Sequence, residues 1–83
     1  MKLLYFAWVR EKVGVGEEDR TPPATVQTVG DLMEWLATQS PGHAAAFANR
    51  THIKTAVDQT HVPVTAKLKD AREVAFFPPV TGG

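Results

Sequence analysis

The chain has 83 residues, 43% of them hydrophobic and 22% charged, and it contains no cysteine. This length allows one small domain near the lower limit of independent folding, and the missing cysteines exclude disulfides, thiolate metal sites and thiol nucleophiles together. Nine Lys and Arg balance nine Asp and Glu, with no like-charge tract longer than Glu17-Glu18-Asp19, which argues against nucleic acid or an anionic membrane as the main partner.

The apolar run Leu3 to Val9 leads straight into Arg10-Glu11-Lys12 without a small-residue cleavage site, so a cytoplasmic protein is expected rather than a secreted one. No apolar stretch approaches the roughly 20 residues a membrane span needs. Leu3-Leu4-Tyr5-Phe6 is apolar at both odd and even positions, which predicts a central strand over Lys2 to Phe6. Ala7 to Val13 changes period, with Val9 and Val13 four apart and Gly14 as a stop, and reads as one or two turns of helix. Between Glu17 and Val26 the pair Pro22-Pro23 breaks any ladder, leaving at best an edge strand or a loop.

Thr28 to Thr38 is the clearest element. Val29, Leu32, Met33 and Leu36 form one apolar stripe at the helical period, and Thr28 with Asp31 makes a capping-box pattern. Trp35 flanks the stripe, half-buried over its edge. Ser40-Pro41 then starts a second short helix over Gly42 to Ala48. His52 to Val57 alternates as a half-buried strand, Asp58-Gln59-Thr60 turns, and His61 to Val64 can pair only as a short edge because of Pro63. Leu68 is a lone core anchor, Asp70-Ala71-Arg72 a turn, and Glu73 to Phe77 a strongly apolar strand ended by Pro78-Pro79.

The first and last strands are the most apolar, which places them adjacent and parallel in the middle of a mixed sheet wrapped around one main helix. The predicted class is α+β with the β-grasp arrangement, a single domain over residues 1–83 whose tail, 78–83, projects from it.

Few side chains suggest catalysis. His43, His52 and His61 are each nine residues apart, a spacing that fits no helix face or metal-ligand pair, and they read as surface or structural residues. Ser40 reads as a helix cap, Gly14-Val15-Gly16 as a turn, Asp31 with Glu34 as an exposed polar face, and Trp8 and Trp35 as core or rim. The ending Val80-Thr81-Gly82-Gly83 remains. Two prolines stiffen its exit toward an extended path, six residues can span about 20 Å, and two glycines can thread a channel too narrow for any Cβ. The carboxylate so delivered is inert until activated; as an acyl-adenylate it becomes an electrophile, and sulfur can replace oxygen.

The opening Tyr5-Phe6-Ala7-Trp8-Val9-Arg10-Glu11-Lys12-Val13-Gly14, the segment Ala56-Val57-Asp58-Gln59 and the ending Glu73 to Gly83 resemble the MoaD family over essentially the whole chain. These are the small, ubiquitin-like sulfur-carrier subunits of molybdopterin synthase. The resemblance implies that Gly83 is the catalytic, sulfur-carrying terminus, with Val80, Thr81 and Gly82 as its tail. It implies a MoeB-like adenylyltransferase that uses ATP to adenylate Gly83, a sulfur donor that makes the thiocarboxylate, and a MoaE-like large subunit in which sulfur passes to cyclic pyranopterin monophosphate. The active site then lies on that partner, in a two-plus-two heterotetramer, and this chain binds no cofactor or metal of its own.

Family membership also suggests that Phe6, Arg10 and Phe77 belong to the docking surface, although plain core is the alternative for Phe6. The chain departs from the family at Asp58, where asparagine is usual, at Asp70-Ala71-Arg72-Glu73, which replaces Asp-Gly-Asp-Glu, and at Pro22-Pro23. Alanine at a left-handed turn position costs about 1 kcal/mol relative to glycine, so the turn around Ala71 is expected to take another form. Two other readings stand beside the first: a related carrier for thiazole synthesis or tRNA thiolation or a protein modifier, and a non-catalytic interaction module.

Overall fold

The structure, a computed structural model, describes residues 1–79. In chain order it forms β1 (Lys2–Tyr5), α1 (Ala7–Val13), β2 (Glu17–Asp19), α2 (Val29–Leu36), α3 (Pro41–Ala46), a 3₁₀ turn (Arg50–His52), β3 (Lys54–Val57), β4 (Thr60–Val62) and β5 (Glu73–Phe77). Among the described residues the strands make one mixed sheet in the order β2-β1-β5-β3-β4. The parallel pair β1 and β5 lies inside it, with Leu3 opposite Val74 and Tyr5 opposite Phe76. β3 runs antiparallel to β5, and β2 and β4 close the two edges. This is the expected β-grasp topology, and it follows from where the apolar residues are concentrated.

α2 forms where its stripe predicts. Thr28 accepts from the Asp31 backbone N–H at 3.1 Å, and the Asp31 carboxylate accepts in return from the Thr28 N–H at 3.2 Å, completing the capping box. The helix then buries Val29, Leu32, Met33 and Leu36 completely against one face of the sheet. Leu3, Tyr5, Val74 and Phe76 meet them from the strands, and Phe47 completes an aromatic cluster, its ring 5.0 Å from Phe76 and edge-on to it. At about 1.5–3 kcal/mol for each large apolar side chain removed from water, this face supplies most of the driving force for folding. Leu68 anchors the second long loop, as expected, and Trp35 is half-buried with the Arg20 guanidinium 6.0 Å from its ring.

Four details differ from expectation. The edge strand β4 takes in Thr60, expected in the turn, and ends at Val62, before Pro63, instead of reaching Val64. The strand predicted from His52 begins at Lys54, because His52 closes the 3₁₀ turn with its N–H bonded to Asn49. The second short helix spans Pro41–Ala46 and stops before Ala48. In the turn before β5 the left-handed residue is Asp70, φ 62°, and not Ala71. Aspartate tolerates that region better than alanine, and Ala71 is left free to pack against the core.

Candidate functional site

Alternation along the strands sends every second side chain to the face of the sheet opposite α2. On β1 that is Leu4, on β5 Glu73, Ala75 and Phe77, on β3 Lys54 and Ala56, and on β4 His61, which stands opposite Ala56 in the register. Tyr5 pairs with Phe76, so the next residue along each of these parallel strands brings Phe6 level with Phe77 at the end from which the chain leaves β5. The Phe6 N–H bonds to the Phe76 carbonyl at 3.1 Å, extending the ladder by one residue. Phe6 is 47% exposed, which excludes the core alternative. Phe77 is half-buried, with its ring 5.1 Å from that of His61.

Arg10 lies one helical turn after Phe6 and is exposed. Phe6, Phe77 and Arg10, predicted as docking residues, are thus gathered at one end of the sheet. A groove of about 520 Å³ runs beside them between Leu4, Phe6, Arg10, Gly16 and Glu17. The backbone at this corner is strained: Ala7, the first residue of α1, has φ 53°, a left-handed conformation that costs a non-glycine residue roughly 1 kcal/mol or more. The chain turns there from strand to helix within one residue of Phe6. Val80, Thr81, Gly82 and Gly83 lie outside the described residues, which end at Pro79.

A second constellation is buried. The Tyr5 hydroxyl donates to Glu18 Oε2 at 2.6 Å, His43 Nε2 meets the same oxygen at 2.8 Å, and Ser40 Oγ lies 2.7 Å from His43 Nδ1. Because Ser40 Oγ already accepts the His43 backbone N–H, its own hydrogen can go to Nδ1, which leaves Nε2–H to donate to Glu18. Arg20 Nε sits 2.9 Å from Glu18 Oε1 as an ion pair, without the alignment of a hydrogen bond. Burial would raise the Glu18 carboxyl, but the contacts from Tyr5, His43 and Arg20 outweigh it and hold the group below the usual carboxylate range. Burial first, and then the bond to Glu18, push the Tyr5 phenol well above its ordinary value.

These groups satisfy one another, and they tie edge strand β2 to β1 and α3. That is a structural use for His43, and sequence spacing could not have found it because Glu18 lies 25 positions from His43 and Tyr5 a further 13 from Glu18. His52 closes a turn and His61 lies against Phe77, so the three histidines share no site. Asp58, the departure from asparagine, sits at φ 48° and its Oδ1 accepts the N–H groups of Arg72 and Glu73, each at 3.0 Å. Its carboxylate thus clamps the β3–β4 turn to the start of β5.

Known proteins resemble this chain over its whole length. The chain is 43% identical over 83 residues to the molybdopterin synthase sulfur carrier subunit of Escherichia coli, covering 100% of this chain and 99% of that one. It is 37% identical over 87 residues to the protein of the same name from Haemophilus influenzae, covering 100% and 99%. The crystal structure of SAMP1 from Haloferax volcanii superposes with a TM-score of 0.73 at 26% identity, covering 100% of this chain and 98% of that one. Residues 3–83 match the ThiS family, and the chain belongs to that family as a ubiquitin-like sulfur carrier.

Proposed function

We propose that the chain is the small subunit of a molybdopterin synthase and carries sulfur on its C-terminus for molybdenum cofactor biosynthesis. Identity over the full length of two carriers of that name carries the reading. The aromatic pair at the root of a Val-Thr-Gly-Gly ending supports it, because exposed aromatics serve as anchors where one protein docks on another.

In this reading a separate adenylyltransferase brings ATP to the chain. A carboxylate oxygen of Gly83 attacks the α-phosphorus, pyrophosphate leaves, and the mixed anhydride is open to attack at carbon. A sulfur donor displaces AMP, so that sulfur replaces one carboxylate oxygen. In the large subunit the thiocarboxylate sulfur attacks an electrophilic carbon of cyclic pyranopterin monophosphate, and the carbon–oxygen bond at that position breaks as the oxygen takes up a proton and leaves. Water then cleaves the resulting thioester, leaving sulfur on the pterin and returning Gly83 as a carboxylate. Two rounds supply the two sulfurs of the dithiolene.

Val80, Thr81 and Gly82 reach into the partner while Phe6, Phe77 and Arg10 hold the docked face. The acid-base groups belong to the large subunit, in a two-plus-two assembly in the cytoplasm, and ATP is consumed on the activating enzyme without binding this chain.

Intact-mass measurement after incubation with ATP, a sulfide source and the activating enzyme tests the carrier chemistry. The expected product has one oxygen replaced by sulfur, and it loses that sulfur on addition of the large subunit and pterin precursor. Removal of Gly82-Gly83 abolishes both steps. A terminus that never becomes an adenylate or thiocarboxylate refutes the reading, and lysine adducts on other proteins would mark a modifier instead.

A further inference from the structure

Gly14 and Gly16 flank Val15 in what sequence suggests is one turn, yet they are glycine for different reasons. Gly14 caps α1 at φ 100°, where a side chain is strained, whereas the backbone of Gly16 lies outside the left-handed region and would accept any residue. What a side chain at Gly16 would meet is Arg10. A Cβ there would stand 3.3 Å from Arg10 Nε, 3.5 Å from Cζ and 3.6 Å from Cδ, and these are its three nearest neighbours. The Arg10 guanidinium therefore lies across the bare backbone of Gly16, along the wall of the groove beside exposed Phe6.

Among the described residues no carboxylate lies within ion-pair distance of Arg10, and Glu17, which lines the same groove, is met instead by Lys2 Nζ at 3.7 Å. A planar guanidinium lying against bare backbone in an open groove has two parallel N–H donors to offer, the geometry that a carboxylate takes in a bidentate pair.

We propose that Gly16 is a positioning residue for docking: by carrying no side chain it lets Arg10 lie preorganised in the groove, where it receives a carboxylate of the large synthase subunit. This rests on the proposed function and adds a residue that acts only through another. Arginine held in place before contact loses less rotamer freedom on binding, which is worth roughly three- to tenfold in affinity.

The test is a double-mutant cycle of Gly16→Val and Arg10→Ala, read as Kd for the molybdopterin synthase large subunit by calorimetry, with thermal unfolding of each variant alongside. Gly16→Ala repeats the cycle with the smallest possible side chain should the valine variant fold poorly. The expected result is that Gly16→Val weakens docking by roughly three- to tenfold at unchanged Tm, and has no further effect once Arg10 is alanine. Equal weakening with and without Arg10, or no weakening while Arg10 is present, overturns the proposal alone. Absence of any binding by the unmutated chain overturns the proposed function and this inference with it.

Discussion

On β5, Val74 and Phe76 disappear beneath the helices while Ala75 and Phe77 lie on the other face of the sheet, and β1 repeats the division with Tyr5 inside and Phe6 47% exposed. The covered face is crowded with partners: Phe76 stacks on Tyr5 at 5.8 Å and meets Phe47 edge-on. The open face has Leu4, Ala75 and Ala56 side by side in its middle, and its phenylalanines, Phe6 and Phe77, stand at the end where the chain leaves β5. Sequence neighbours with the same chemistry thus do opposite work, because a strand exchanges faces at every residue. In a chain this small, the period of two is how one sheet provides both a core and the open face on which docking is proposed.

The sharpest way to break the comparison is to truncate adjacent phenylalanines. Phe76→Ala empties a site enclosed on all sides and is expected to cost about 3–5 kcal/mol, enough to unfold much of the population, as urea denaturation would report. Phe77→Ala is expected to shift stability by no more than about 1 kcal/mol yet weaken binding to the large subunit about tenfold or more. If the two variants lose stability alike, the division of faces is wrong. Next in size is Gly42→Ala in α3. A Cβ there would overlap the Lys12 carbonyl and come within 3.2 Å of the Val13 carbonyl, both of them backbone atoms at the end of α1 that cannot swing aside. Pushing the two helices apart is expected to cost roughly 1–3 kcal/mol, with docking affinity unchanged once the chain is folded.

Much of this division is legible in sequence where periodicity speaks. The stripe Val29, Leu32, Met33, Leu36 with its Thr28 and Asp31 cap, and the two-faced apolar strands at Leu3 to Phe6 and Glu73 to Phe77, specify the main helix and the sheet centre without any coordinates. Sequence leaves Phe6 open between core and docking because both readings satisfy the same apolar run; the 47% exposure of its side chain excludes the core, and the register beyond Tyr5 and Phe76 sets it level with Phe77. The Tyr5, Glu18, His43 and Ser40 network is invisible there for another reason. A hydrogen bond between residues 13 or 25 positions apart has no period, and Glu18 within Glu17-Glu18-Asp19 looks like any solvated charge. Left-handed Ala7, Asp58, Gln59 and Asp70 likewise depend on where tertiary packing forces the chain to turn.

That network makes the covered face answer to pH. Glu18 has a folded value below its unfolded one, so its contribution is present above about pH 4.5 and is lost as pH falls through the folded value. Tyr5 is raised, so its contribution is complete below about pH 10 and is lost as the unfolded chain ionises above that. Melting temperature is therefore expected to fall on both limbs. Glu18→Gln should lower stability at neutral pH and flatten the acid limb, and Tyr5→Phe should flatten the alkaline limb. An acid limb of unchanged steepness in Glu18→Gln would assign the loss to other carboxylates.

The smallest effect is expected at the seam between the two faces. Ala7 holds a strained left-handed backbone at the point where β1 ends and α1 begins, next to exposed Phe6. Glycine takes that conformation without steric cost but brings a more flexible unfolded chain, and the two effects oppose each other at about 1 kcal/mol each. Ala7→Gly should therefore leave stability within about 1 kcal/mol of the original, with a gain where relief of strain outweighs the added freedom of the unfolded chain. Docking should move the other way, because a glycine hinge loosens the corner that holds Phe6 level with Phe77. A modest loss of affinity at unchanged or raised Tm would show that the strain fixes the docking aromatic. Equal affinity would mean that the sheet register alone holds Phe6 in place.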